Sequence, residues 1–134
     1  MPESIRVLIV DDEEDFATAL VERLRRRGFM ADAVFSGEAA LERLSCHAYD
    51  VAVLDLKMSG IDGLGTLREI KRFGFAVAVV VLTGHATVAS GIEGMQIGAA
   101  DFLQKPVDLE TLCTSIRGAA DRAAAGPNDK EGAA

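Results

Sequence analysis

The sequence has little that would support redox chemistry, thiolate metal binding or membrane insertion. Its 134 residues include two cysteines, three prolines, one tyrosine and no tryptophan. Cys46 and Cys113 are not spaced as a CxxC pair, so a thiolate metal site or redox pair is not expected, and both are predicted to be small buried residues. Without a signal peptide or a long apolar run, the sequence predicts a cytoplasmic chain with reduced thiols and no membrane partner.

The charge balance is acidic, with 21 acidic residues, 14 lysines and arginines and a formal net charge of −7. A broad nucleic-acid surface is therefore not expected. The one basic cluster, at Arg23, Arg25, Arg26 and Arg27, falls at the predicted end of the first helix, where cations suit the helix dipole. It can be read as a solvated helix end or as a docking surface. With 49% hydrophobic residues, the chain is long and apolar enough for one domain with a core.

Short apolar runs alternate with segments of helical periodicity along the chain. The runs predict strands over residues 5–10, 31–35, 51–55, 76–82 and 101–103. The periodic segments predict helices over residues 14–27, 37–46, 64–73, 87–97 and 109–124. Gly28 is placed to end the first helix, and Ser36 and Asp108 are placed to cap the second and the fifth. Five βα units in succession predict a doubly wound parallel sheet between two layers of helices, an α/β fold of three layers.

Polar residues end or follow four of the predicted strands. Asp11 and Asp12 follow the first strand, Asp55 ends the third, Thr83 follows the fourth, and Lys105 comes two residues after the fifth. In a doubly wound sheet these strand ends share one edge. Three carboxylates suit Mg²⁺, one of them can act as a nucleophile towards phosphorus, and an ammonium and a hydroxyl can contact phosphoryl oxygens. The remaining acids, residues 13–15, are expected to begin the first helix.

In this order and spacing, four motifs resemble one family. They are V-D-D-E, L-D-L-K-M-S-G-I-D-G, L-T-G-H and G-A-A-D-F-L-Q-K-P, and the likeness runs over residues 5–124. The sequence resembles the receiver domains of two-component response regulators. The resemblance implies a flavodoxin-like sheet with strand order 2-1-3-4-5 and five helices. Residues 1–125 would form the receiver domain, and residues 126–134 a disordered tail or the stub of a linker.

The resemblance also implies a role for each site residue. Asp55 would be the phosphoacceptor, and Thr83 and Lys105 would contact the phosphoryl group. The Mg²⁺ (or Mn²⁺) ligands would be Asp11, Asp12, Asp55 and the backbone carbonyl of Lys57. Phe102 would act with Thr83 as the switch pair, Lys57 and His85 would modulate the phosphoryl lifetime, and the Lys105–Pro106 bond would be cis.

By the same resemblance, the chain is a signalling switch. A histidine kinase or a phosphotransfer protein would donate the phosphoryl group from a phosphohistidine. Phosphorylation would change the surface formed by helix 4, strand 5 and helix 5, which a downstream protein, an effector domain outside this chain or a second copy would recognise. The domain would catalyse only its own phosphorylation and dephosphorylation, and it would act on no outside substrate.

Two features depart from the family pattern. Ser59 stands where a proline is usual, which is expected to leave its loop freer because proline fixes φ. Gly91 and Gly94 fall inside the fourth helix, where glycine costs roughly 0.5–1 kcal/mol each. We therefore expect helix 4 to be weakly held and mobile.

Three alternatives to a phosphorylated receiver share part of this pattern. A phosphatase with an aspartate nucleophile would need a second aspartate as general acid where Lys57 stands. A flavodoxin-like flavin protein would need hydroxyls and glycine after the first strand, where this chain has acids that would repel a phosphate. The remaining alternative is a degenerate receiver that serves only as a binding module, although every residue for phosphoryl chemistry is present.

Overall fold

A computed structural model of the chain describes residues 4–84 and 87–125, so His85 and the predicted tail at residues 126–134 lie outside the described residues. Within the described part, five strands alternate with five helices. The strands are β1 (Arg6–Val10), β2 (Met30–Val34), β3 (Val51–Leu54), β4 (Ala78–Thr83) and β5 (Asp101–Gln104). The helices are α1 (Glu14–Arg26), α2 (Gly37–Cys46), α3 (Gly63–Phe73), α4 (Val88–Ile97) and α5 (Leu109–Ala125).

The strands form one parallel sheet in the order β2-β1-β3-β4-β5, as the family resemblance implied. Val10 pairs with both Val34 and Leu54, so β1, β2 and β3 end at the same level. The main difference from prediction lies in β4, which begins two residues late. There the Val77 N–H donates to the carbonyl of Phe75 in a local turn, so pairing starts at Ala78.

Alternate residues of the central strands face two separate core layers. Val7 and Ile9 pack with buried residues of α1 and α5, and Leu8 and Val10 pack with those of α2 and α3. The strands β3 and β4 are buried along their whole length. This explains their nearly continuous apolar sequences, because a parallel sheet covered on both faces has no solvated side.

The predicted helix boundaries have physical counterparts. The Ser36 hydroxyl accepts a hydrogen bond from the Ala39 N–H at 3.0 Å at the start of α2. The carboxylate of Asp108 accepts one from the Thr111 N–H, also at 3.0 Å, at the start of α5. Gly28 has a φ of +94° just after α1, which glycine adopts without steric cost.

The prediction that both cysteines are buried is wrong for Cys46. Cys113 is buried in α5, but Cys46 is exposed at the last turn of α2. The buried residues of α2 include Ala40 and Leu44. Cys46 comes two positions after Leu44, which is about 200° around the helix, so it points away from the sheet. Among residues 4–84 and 87–125, none of the helices has the length and apolarity that a membrane crossing needs.

Candidate functional site

Three aspartates meet at the carboxyl edge of the sheet. The Asp11 N–H donates to the Val34 carbonyl at 3.2 Å, and the Asp55 N–H donates to the Val10 carbonyl at 3.0 Å. These bonds continue the strand pairing by one residue and fix where each carboxylate leaves the sheet. Asp11 is 2% exposed and Asp55 is 4% exposed, whereas Asp12 is half-buried. One carboxylate oxygen from each residue lies within 4.8 Å of the others.

Asp55 contributes a deeply buried carboxylate oxygen to this edge of the sheet. Its Oδ1 is inaccessible to solvent and accepts no hydrogen bond from any described residue. An unpaired buried carboxylate oxygen is costly, and such groups are normally hydrogen-bonded or bound to a metal. With two more carboxylates beside it, this oxygen fits a divalent cation with hard oxygen ligands, of which Mg²⁺ is the type that also bridges to phosphates. The cluster therefore fits the predicted metal.

Lys105 supplies the positive charge at this edge. Its Nζ donates to Asp11 Oδ2 at 2.8 Å and to Glu13 Oε1 at 3.4 Å. The same ammonium lies 4.1 Å from the centroid of the Phe16 ring. The Lys105 backbone N–H donates to the Thr83 carbonyl at 2.9 Å, and the following Lys105–Pro106 bond is cis, as the family resemblance implied. The loop after β5 is thus tied to the end of β4 while its side chain reaches β1.

The electrostatics indicate a site short of positive charge. Burial raises the pKa of Asp11, and the hydrogen bond from Lys105 opposes this without overcoming it. Burial alone would lower the pKa of Lys105, but the hydrogen bond to Asp11 and the surrounding carboxylates outweigh it, so this pKa is also raised. Both groups hold their protons more tightly than usual. That is the behaviour expected where several carboxylates share little water.

The two predicted switch residues lie on neighbouring strands. Thr83 is the last residue of β4 and is fully buried. Phe102 is in β5, where it pairs with Val81, and it is half-buried against the core layer under α3. A Cβ atom built on Gly91 or Gly94 would meet the Phe102 ring at 3.8 and 3.7 Å. The two glycines of α4 therefore lie directly over this ring.

Two hydrogen bonds and one close packing contact fix the loop between β3 and α3. The Ser59 N–H donates to Asp12 Oδ2 at 3.2 Å, a bond that proline at this position could not make. The Ile61 N–H donates to Glu38 Oε2 at 3.2 Å. At the start of α3, a Cβ atom on Gly63 would overlap the backbone carbonyl of Asp55, so the helix packs directly onto the candidate acceptor. Lys57, in the same loop, is exposed.

The structure brings together Asp11, Asp12, Asp55 and Lys105, and it places Thr83 beside them through the backbone bond to Lys105. His85 lies outside the described residues. Sequence reasoning missed the contacts of Glu13 and Phe16 with Lys105. Glu13 does stand at the start of α1, as the residue that precedes Glu14 and accepts the Ala17 N–H, and its side chain also reaches Lys105. The i, i+3 spacing of Glu13 and Phe16 was the available signal for one shared face.

Comparison with known families agrees with this geometry. The family described as "Response regulator receiver domain" matches residues 7–117. The chain therefore belongs to this family: it is a receiver domain of the two-component response regulators. Because the match covers most of the chain, it excludes the phosphatase and flavin-protein readings.

Particular relatives agree with that assignment. Transcriptional regulatory protein CutR of Streptomyces coelicolor is 39% identical over 84% of this chain and 52% of its own length. Transcriptional regulatory protein TctD of Salmonella typhimurium is 37% identical over 90% of this chain and 54% of its own length. The chain thus spans about half the length of these relatives. The crystal structure of a response regulator receiver domain protein from Clostridium thermocellum is 32% identical. It matches with a TM-score of 0.82 over 88% of this chain and 95% of that chain.

Proposed function

We propose that Asp55 is the residue of this receiver domain that accepts a phosphoryl group. The observation that supports it most is the unpartnered, buried Oδ1 of Asp55 between two further carboxylates. Because no described residue donates to this shielded oxygen, it is available to a cation, and the other carboxylate oxygen of Asp55 can then attack phosphorus. Asp11 is less suited to this role because its Oδ2 is bound to Lys105 and its Oδ1 accepts the Glu13 N–H at 2.9 Å.

Asp11, Asp12, Asp55 and the backbone carbonyl of Lys57 would hold Mg²⁺ (or Mn²⁺). When bound, the ion supplies positive charge that offsets the repulsion between the acidic cluster and the phosphoryl group. The raised pKa of Asp11 and the unpartnered Asp55 oxygen support a cation in this cluster.

In the proposed reaction, a carboxylate oxygen of Asp55 attacks phosphorus and the bond from phosphorus to the donor breaks. Lys105 exchanges one carboxylate partner for a phosphoryl oxygen, and the Thr83 hydroxyl donates to another. In autodephosphorylation a water attacks the same phosphorus, the bond from phosphorus to the Asp55 oxygen breaks, and inorganic phosphate leaves. Lys57 and His85 are proposed to modulate that attack. The domain acts on no other substrate in this proposal.

The proposed response begins at Thr83, which is drawn towards the phosphoryl group and leaves space for Phe102 to turn inward. This is a shift between two populated states of one fold. The α4–β5–α5 face changes with it. Val88, Ile92 and Met95 expose apolar surface on α4 next to Phe102, which supports a protein partner or a second copy at this face.

The proposed donor is the phosphohistidine of a histidine kinase or a phosphotransfer protein. The proposed output is a downstream protein or an effector domain that follows the receiver, with residues 1–125 as the domain and residues 126–134 as a tail or linker. The relatives' names as transcriptional regulators and their greater length support an attached effector and a cytoplasmic setting. The acidic receiver itself is not proposed to bind nucleic acid.

Incubation with acetyl phosphate and Mg²⁺, followed by intact-mass measurement, tests the proposal. The wild type should gain one phosphoryl group only when Mg²⁺ is present, and Asp55→Asn should gain none. Asp121→Asn is a matched control because Asp121 is an exposed aspartate of α5 far along the chain from the cluster. A modified Asp55→Asn variant would show that another residue accepts the phosphoryl group. A wild type that never gains mass would favour the phosphorylation-independent binding module.

A further inference from the structure

The Lys105 ammonium lies against three groups that all come from one short segment. Asp11 Oδ2 is at 2.8 Å, Glu13 Oε1 is at 3.4 Å, and the centroid of the Phe16 ring is at 4.1 Å. Two of these contacts are ion pairs, and the third is well within the roughly 6 Å range of a cation–π interaction. Only 16% of the Lys105 side chain and 3% of the Asp11 side chain are exposed, so solvent screens this pair less than a pair on an open surface, whereas Glu13 is 68% exposed.

Unlike the two carboxylates, the Phe16 ring binds the ammonium without accepting a conventional hydrogen bond from it. An ammonium group has three N–H donors, and each carboxylate uses one of them. Asp11 and Glu13 thus occupy two of the three donors, and an ammonium that turns towards a phosphoryl oxygen must reorient these directional bonds. The face of an aromatic ring attracts the charge as a whole through its quadrupole and uses no donor. The cation–π contact between Phe16 and Lys105 can therefore persist while the hydrogen bonds of the ammonium change partners.

The surroundings of Phe16 favour this role over a role in core packing. The residue is 36% exposed, well above the buried apolar residues of α1. Phe16 and Lys105 together border a cavity of about 470 Å³ between α1 and α5, whose wall also includes Leu20 and Leu112. A side chain that faces both solvent and a cavity makes few of the dense contacts that hold a core residue. Its ring face contacts the Lys105 ammonium.

We propose that Phe16 is a positioning residue for Lys105. Its ring holds the ammonium at the edge of the acidic cluster, so that the charge is in place when a phosphoryl group reaches Asp55. This inference rests on the proposed function, in which Lys105 contacts the phosphoryl group. It adds the residue that keeps Lys105 in position while the lysine exchanges its anionic partners.

Two substitutions of Phe16 distinguish the effect of its aromatic face from the effect of its apolar volume. Phe16→Leu keeps an apolar side chain and removes the aromatic face, whereas Phe16→Tyr keeps the aromatic face. The first measurement is NMR of the unphosphorylated protein, with the Lys105 signals assigned by their loss in Lys105→Met. The Lys105 Hε resonances should be shifted upfield by the ring in the wild type and in Phe16→Tyr, and should return to ordinary lysine values in Phe16→Leu.

The second measurement is the rate of phosphorylation by acetyl phosphate at saturating Mg²⁺. Phe16→Leu should be about two- to five-fold slower, which corresponds to the usual strength of a cation–π contact. Phe16→Tyr should restore the rate to that of the wild type. Urea unfolding of both variants checks that each is folded under the assay conditions.

The proposal is overturned if the wild-type Lys105 signals show no ring shift. It is also overturned if Phe16→Leu reacts at the wild-type rate, or if both variants slow equally, which would indicate packing alone. These results are distinguishable from a failure of the proposed function. If the proposed function is wrong, the wild type itself gains no phosphoryl group, whatever residue stands at position 16.

Discussion

Replacing Gly91 and Gly94 with alanine should stabilise this protein, because the two glycines weaken the interior of α4 without serving a close approach. The nearest atoms to an added Cβ at Gly91 would be those of the Phe102 ring, at 3.8 Å. At Gly94 it would meet that ring at 3.7 Å and a methyl group of Leu64 at 3.8 Å. These are ordinary van der Waals distances, so neither methyl group clashes, and both glycines are interior residues of α4.

The magnitude follows from helix propensity. Each glycine in a helix interior costs roughly 0.5–1 kcal/mol relative to alanine, so the double variant should gain about 1–2 kcal/mol in its free energy of unfolding. Urea unfolding followed by far-ultraviolet circular dichroism measures this as a higher midpoint at unchanged slope. The same gain should appear as slower amide hydrogen exchange in α4, which we predict to exchange faster than α5 in the wild type.

Two other glycines serve as controls for this reasoning. Gly98 ends α4 with a φ of +126°, and an added Cβ would lie 2.9 Å from Cε of Lys71. Gly74 has a φ of +73° and open space around it. Alanine at either position should destabilise the protein by about 1–2 kcal/mol, because L-residues resist the left-handed region. The account of α4 is refuted if the Gly91→Ala, Gly94→Ala double variant is no more stable than the wild type, or if wild-type α4 exchanges as slowly as α5.

Three further predictions concern the core and the acidic cluster. Tyr49→Phe removes a hydroxyl that donates to Asp32 at 2.8 Å from a ring only 5% exposed. It should lower the unfolding free energy in urea by about 0.5–1.5 kcal/mol, and an unchanged midpoint would contradict this. Gly63→Ala places a methyl group against the Asp55 carbonyl, so it should destabilise the protein by about 1–3 kcal/mol. An unchanged stability would show that the loop between β3 and α3 can move to accommodate the methyl group. Burial raises the pKa of the Asp11 carboxyl above its ordinary value of 3.8. The metal-free folded protein therefore binds the Asp11 proton more tightly than the unfolded chain does. As the pH rises above 3.8 this proton is lost, and the folded protein loses stability. Urea unfolding with EDTA should show Asp11→Asn gaining stability relative to the wild type from about pH 4 upwards, and a gain that shrinks with rising pH would refute the assignment.

The sheet and the positions of the residues at its carboxyl edge could be predicted from the sequence because they depend on the order of the elements along the chain. Once five βα units are recognised, each βα crossover is right-handed and every strand ends at the same edge. Asp11, Asp12 and Asp55 then have to meet there, and the loop after β5 brings Lys105 to the same place. None of this requires knowledge of a side-chain rotamer.

Side-chain partners across that edge could not be read in the same way. Glu13 stands at the start of α1, but the direction of its side chain towards Lys105 depends on local backbone and rotamer geometry, which helix propensities do not resolve. The prediction that Cys46 is buried rests on the usual burial of free cysteines, whereas its exposure is decided by which face of α2 packs on the sheet. The Ser59 N–H bond to Asp12 depends on the path of a loop, where periodicity gives no information.

The central claim is that Asp55 carries the phosphoryl group, and the most direct measurement locates the modified residue chemically. Borohydride reduces an aspartyl phosphate to homoserine, which peptide sequencing by mass spectrometry can place at a single position. After treatment with acetyl phosphate and Mg²⁺, the account predicts homoserine at position 55 and at no other aspartate. Homoserine at Asp11 or Asp12 instead, or none at all in a protein shown to be folded, would contradict the account.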